Sequence, residues 1–181
     1  MDQDQLIQRC IDRDRKAQYL FYKKYYSFFF GVCYRYVQER EKTMDLMNLG
    51  FAKVMLNLKK YDKSQVLEKW MKTIIINVVI DEFRKTKTYK EHITIYDQSA
   101  LANMNENATE PEYRGEILEA INEKLAQLPP VTRSVFNLYA IDGFKHKEIA
   151  VMLNIPEGTC HWHYSKAKQT LKEHLQRQFS M

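Results

Sequence analysis

Apolar side chains recur every three or four residues through almost the whole chain, and this periodicity restricts the fold more than any other feature. Leu6, Ile7, Cys10 and Ile11 predict a first short helix. A longer second helix is expected from about Asp14 to Val37, with Ala17, Leu20, Phe21 and Phe28 on one side. Thr43 is placed to cap a third, which carries Leu46, Met47, Phe51, Val54, Met55 and Leu58. A fourth is expected from about Val66 to Tyr89, with Leu67, Trp70, Ile74, Val78 and Phe83 as core candidates. Ile117, Ile121, Leu125 and Leu128 mark a fifth, stopped by Pro129-Pro130. Val131 to Ile141 predicts a sixth that closes on Asp142-Gly143. Lys145 to Leu153 predicts a seventh, and about Glu157 to Phe179 an eighth. Only Ile93-Thr94-Ile95-Tyr96 alternates as a strand does. Five Gly and four Pro in 181 residues are too few for the turns of a β-sandwich or barrel. The expected fold class is all-α.

Charge divides the chain. Residues 1–86 carry a net charge of +6, residues 87–112 a net −3 and residues 113–181 a net +2. The acidic piece is also the one stretch without sustained apolar periodicity, and it ends in Thr109-Glu110-Pro111, a helix-start signal. The organisation expected is a helical domain over 1–87, a flexible acidic linker over 88–112 and a second helical domain over 113–181. Two basic units around an acidic linker suit a polyanionic partner; they are equally met by ordinary solvated surface. No apolar run is long enough to span a bilayer. The N-terminal MDQDQLIQRC is polar and acidic and reads as no secretory signal. Three cysteines, Cys10, Cys33 and Cys160, form no CxxC pair, so neither a disulfide framework nor a zinc finger is supported. A cytoplasmic chain without metal or other cofactor is expected.

The densest pattern lies at residues 146–168. A helix-turn-helix needs a small residue where two helices cross, a left-handed turn residue four positions on, and apolar anchors on both sides. Ala150 supplies the first and Asn154 the second, because Asn tolerates positive φ. Ile149, Leu153, Ile155, Cys160 and Tyr164 supply the anchors. Glu157-Gly158-Thr159 opens the following helix, whose N-terminal dipole favours phosphate. His161, Trp162, His163, Lys166 and Lys168 are expected on or near its exposed side. A plain helical hairpin on a small bundle is the competing interpretation. Cys160, His161 and His163 are too close in sequence to converge on one ion from a helix, so Cys160 is expected as a small buried hydrophobe.

In the fourth helix, Asn77, Asp81 and Arg84 share one face at i, i+4, i+7. An amide, an acid and a guanidinium in a row can bond base edges and phosphates, and can also be a solvated helix face. The second helix carries Tyr19, Tyr22, Tyr25, Tyr26, Phe28, Phe29, Phe30, Tyr34 and Tyr36 on all sides. Lys23, Lys24 and Arg35 lie among them, so some rings are expected to meet a partner or stack on bases.

Two stretches resemble one family. Trp70 to Lys85 is similar to W-L-x-x-I-x-x-N-x-x-x-D-x-x-R-K. Leu128 to Thr159 is similar to L-P-x-x-x-R-x-V-F-x-L-x-x-x-E-G-x-x-x-x-E-I-A-x-x-L-x-I-x-x-G-T. The chain resembles sigma-70-class RNA polymerase sigma factors of the small extracytoplasmic-function (ECF) group over about residues 4–87 and 113–175. The resemblance implies a region 2 domain and a region 4 domain that direct core RNA polymerase to promoter DNA. Region 4 would place its second helix in the major groove of the −35 element, where direct hydrogen bonding distinguishes all base pairs; Thr159, His161, Trp162, His163, Lys166 and Lys168 are the candidates. Region 2 would hold the melted −10 element near Trp70, Lys72, Asn77, Arg84 and Lys85. Asp81 would either share that role or hold Arg84, and Trp70 equally suits a core anchor. Asp45, Asn48, Leu49 and Phe51 fall on the surface implied to grip the clamp helices of core polymerase, which region 4 would meet at the flap. The linker would run toward the RNA exit channel, and an anti-sigma factor is an implied partner.

This chain departs from the family pattern in two places. Asp45-Leu46-Met47-Asn48-Leu49-Gly50-Phe51 stands where D-L-x-Q-E-x-F is usual, so Leu49 puts an apolar side chain where a charged contact is expected. Gly158-Thr159-Cys160-His161-Trp162-His163-Tyr164 stands where G-T-V-K-S-R-L is frequent. Histidines there replace two cations and weaken phosphate attraction near neutral pH or make it pH-dependent. Two other functions compete. A stand-alone helix-turn-helix regulator would share only the C-terminal match. An enzyme on nucleic acid finds no HExxH, GxxxxGK[ST] or carboxylate cluster for two metals.

Overall fold

The computed structural model describes residues 2–85 and 114–179. They form two compact units that divide at Phe83/Arg84, within the last turn of a helix. The proposed linker, the Ile93–Tyr96 segment and the helix extension to Tyr89 lie outside the described residues. The described residues are helical, with no strand.

In the first unit, α1 (Gln3–Ile11) starts where the Asp2 carboxylate accepts the Gln5 N–H at 2.8 Å. The Asp14 carboxylate caps α2 (Arg15–Val37) in the same way, accepting from Lys16 and Ala17 N–H at 2.8 and 3.1 Å. The paired Arg9 guanidinium and these N–H groups hold the Asp14 carboxyl below its usual range. Left-handed Gln38 (φ 60°) ends α2. The next helix, α3, runs Arg40–Asn57 and tightens into a 3-10 turn, Leu58–Lys60. Thr43 is therefore no cap: it is buried one turn into α3, and its hydroxyl donates to Glu39 C=O at 2.6 Å. The last helix of the unit, α4, is Leu67–Lys85.

Phe21, Tyr25, Phe29 and Tyr36 from α2 join Met47 and Val54 from α3 and Met71, Ile75, Ile76 and Ile80 from α4 in one core. Leu20, expected inside, is exposed. The buried stripe of α4 also lies one position round from the expected one. Leu67 and Val78 are buried, but Trp70, Ile74 and Phe83 are only half-buried. A helix apolar on nearly every side leaves periodicity unable to choose its inner face. Gly50 lets α3 and α4 approach closely, since a Cβ there would meet Ile75 Cγ1 at 3.3 Å.

The second unit holds α5 (Arg114–Gln127), α6 (Pro130–Phe136), α7 (His146–Leu153) and α8 (Glu157–Phe179). The long α8 packs against the other three. Pro130 opens α6 at a position whose N–H has no helical partner to lose. Buried Arg133 ties α6 to the end of α5 by donating to Ala126 C=O at 2.9 Å. The expected sixth helix does not stay α-helical to Ile141. Asn137–Ile141 is a π-helical turn, in which Asp142 N–H donates to Asn137 C=O at 2.9 Å. Gly143 then takes φ 78°. Between α7 and α8, Asn154 adopts φ 53°, ψ 50°, and Ile155 N–H returns to Ala150 C=O at 3.1 Å. Ile149, Leu153, Ile155 and Cys160 are buried around this turn, while Tyr164 and Ala150 are half-buried.

Candidate nucleic-acid interface

Side chains from α3, the 3-10 turn and α4 line an open cleft of about 310 Å³: Lys53, Asn57, Lys60, Trp70, Ile74 and Asn77. Trp70 and Ile74 are half-buried because their outer faces form the apolar wall of the cleft. The Trp70 ring is set by Tyr61, 5.3 Å away between centroids. Asn57 donates one amide N–H to Lys53 C=O at 2.8 Å, which fixes the side chain at the cleft. Asn77, Asp81 and Arg84 are all exposed on the expected common face. Asp81 pairs with Lys53 at 3.7 Å, so it bridges to α3. Both groups of that pair are about half exposed, and it adds little stability. Lys85 is exposed and Lys72 half-buried. An aromatic wall, two amides and two ammonium groups can stack an unpaired base, bond its edge and neutralise its phosphate. Lys53, Asn57 and Lys60 carry no signal in the sequence, because they precede the Trp70 motif and converge on it only through the α3–α4 packing.

On α3, Asp45 and Leu49 are exposed. Asn48 accepts the Tyr22 hydroxyl at 3.2 Å. Phe51 is half-buried, packing edge-on against Tyr22 and Phe29 at 5.0 and 6.0 Å, so it supports this surface from beneath. Along α2, Tyr22, Tyr26, Phe30 and Tyr34 form a row one helical turn apart, with centroids 5.8, 6.1 and 5.6 Å apart.

In the second unit, α8 presents His161 and Lys166 to solvent, with Thr159, Trp162 and Lys168 half-buried. His163 is a correction. Its ring is 1% exposed, and Nδ1 lies 2.9 Å from the Thr132 hydroxyl of α6. It faces α6 inside the unit and is not on the exposed side of α8. Three residues from Cys160 is nearly one helical turn, which places His163 on the buried side that Cys160 defines. Burial pushes the Cys160 thiol up to about 12. Among the described residues no three His, Cys, Asp or Glu side chains converge as a metal site. No helix among them is long and apolar enough to cross a membrane. Tyr139 and His146, neither singled out by pattern, pack beside His161: the Tyr139–His146 and His146–His161 centroids are 4.2 and 3.9 Å apart.

The fold thus combines a helix-turn-helix unit with a separate helical unit that carries a basic, aromatic-walled cleft, an arrangement suited to a nucleic-acid-binding protein. The comparisons make the family plain. The family model described as Sigma-70 region 2 matches residues 21–89, and that described as Sigma-70, region 4 matches residues 118–171. The ECF RNA polymerase sigma factor SigW of Bacillus subtilis strain 168 is 26% identical over 156 residues, covering 81% of this chain and 82% of SigW. The RNA polymerase sigma-H factor of Pseudomonas aeruginosa is 24% identical, covering 97% of this chain and 95% of that factor. The fold is shared with sigma factor RpoE of Bartonella quintana, solved with the anti-sigma factor NepR, at a TM-score of 0.51 and 19% identity over 86% of this chain and 96% of that one. The chain belongs to the sigma-70 family, in its ECF group, and is an RNA polymerase sigma factor. A stand-alone helix-turn-helix regulator is not favoured, because the first unit matches the family as well.

Proposed function

We propose that the α3–α4 cleft receives an unstacked base of the melted −10 element while α8 enters the major groove of the −35 element. The observation that carries this reading is the cleft itself, where Trp70, Asn77, Lys53 and Lys60 meet around one opening. Asn77 would bond the base edge and Trp70 would provide its stacking surface. Lys53, Lys60, Arg84 and Lys85 would neutralise the strand, with Lys72 at the margin. In α8, His161 would face base edges, Thr159 and Trp162 would shape the fit, and Lys166 and Lys168 would meet phosphate. Domain limits of 1–87 and 113–181, with an acidic connection over 88–112, are part of the same proposal.

Core polymerase would bind through Asp45 and Leu49 of α3 at its clamp helices, with Asn48 and Phe51 supporting them, and through the second unit at its flap. The aromatic row on α2 is the surface offered to an anti-sigma factor. The chain would act beside polymerase in the cytoplasm and carry no catalytic step itself.

The test is open-complex formation by reconstituted holoenzyme on a promoter with 2-aminopurine in the −10 element. Asn77→Ala should lower the extent of melting about fivefold or more, the order of one lost base contact, without weakening capture of core polymerase. Unchanged melting would remove Asn77 and the cleft from the −10 site.

A further inference from the structure

Five rings from four successive elements run in one series from the interior of the second unit to the start of α8. Phe136 of α6 stacks on Tyr164 of α8 at 6.1 Å, and Tyr164 meets Tyr139 of the π turn at 4.5 Å. Tyr139 lies flat on His146 of α7, 4.2 Å away at an interplanar angle of 13°. His146 covers His161 of α8 at 3.9 Å and 38°. His146 is 9% exposed, whereas the rings on either side of it reach solvent: Tyr139 is 38% exposed and the His161 side chain 47%. His161, at the start of α8, is thus open to a ligand.

We propose that Tyr139 and His146 are positioning residues that hold the His161 imidazole in one orientation, making His161 a specificity-determining contact to a base edge of duplex −35 DNA. The inference rests on the reading of α8 given above. His161 is in the second turn of α8, and in helix-turn-helix proteins the N-terminal part of the second helix reaches base edges. One face of its ring lies against His146, and Glu157 Oε1 lies 4.0 Å from Nε2. The packing on His146 restrains a side chain that would otherwise sample several rotamers. Restraint before binding removes an ordering cost equivalent to about two- to tenfold in affinity. An imidazole with one ring nitrogen donating and the other accepting suits a base edge, where complementary groups are fixed in place. The π turn is part of the device. Its extra residue, marked by the Asp142-to-Asn137 hydrogen bond at 2.9 Å, turns the face of the helix that carries Tyr139 onto His146.

The experiment uses full-length protein with core polymerase, and competition among −35 duplexes that differ at single base pairs. His161→Ala should lose about fivefold or more of the discrimination at one base pair while non-specific binding stays unchanged. His146→Ala should lose discrimination at that same base pair, and the double variant should lose no more than His161→Ala alone. His146→Phe keeps a flat ring under His161 and should restore the discrimination. The His161 ring protons should move downfield in His146→Ala and remain shifted in His146→Phe, as a ring-current signature independent of DNA. Full discrimination in a folded His146→Ala protein, or equal weakening at every base pair, would overturn the positioning role while leaving α8 as the −35 reader. If the unsubstituted holoenzyme were indifferent to −35 sequence, the reading of α8 would fail, and the inference with it.

Discussion

His163 illustrates how one residue type serves two purposes on one helix. Two positions after the exposed His161, it is buried against Thr132. His163→Ala should cost about 2–4 kcal/mol through the lost packing and the stranded Thr132 hydroxyl. Chemical denaturation measures this, and the salt dependence of DNA binding by the folded variant should not change. His146 adds a pH dependence. Burial and then the adjacent His161 push its pKa below the ordinary 6.5, against the opposing pull of Glu157; Tyr139 and Tyr164 are the other titratable groups packed on it. The unfolded chain therefore takes up this proton first as pH falls. Stability of the second unit should be highest above 6.5 and decline below it. Thermal melting between about pH 5.5 and 7.5 should show that slope, and His146→Phe should flatten it.

Among elements, the turn between α7 and α8 is legible in the sequence, because one position in it needs a left-handed residue and Asn154 is suited to it. Asn154→Ala should destabilise the second unit by about 1–2 kcal/mol, and Asn154→Gly by much less; denaturant midpoints of the two variants decide it. The start of α3 is misread at Thr43 for a physical reason. A hydroxyl can bond a carbonyl four residues earlier inside a helix as readily as it can cap one. The inward face of α4 is illegible because Met71, Ile74, Ile75, Ile76, Val78, Val79 and Ile80 surround most of the helix. Its packing against α3, where Ile75 meets Gly50, helps to select the stripe, and the half-buried remainder becomes the wall of the cleft. The π turn has no sequence signal we can identify.

At the scale of the molecule, two basic units on one chain make promoter binding a counterion-release process. Lys166→Ala and Lys168→Ala should each reduce the slope of log affinity against log salt by about one, with affinity falling across sequences alike. A titration of holoenzyme binding from low to physiological salt reads this directly, and an unchanged slope would remove both from phosphate contact. All-α architecture, the order of the helices, the helix-turn-helix and the family itself follow from sequence, because they rest on spacing along single helices and on two motifs in order. The faces that packing selects do not. Tertiary structure decides which side of α4 turns inward and that Thr132 is the partner of His163. It also decides that Lys53, Asn57 and Lys60 join Trp70 and Asn77, and that Tyr139 and His146 lie under His161. Each of these depends on residues distant in sequence meeting across helices, a register that local periodicity does not encode.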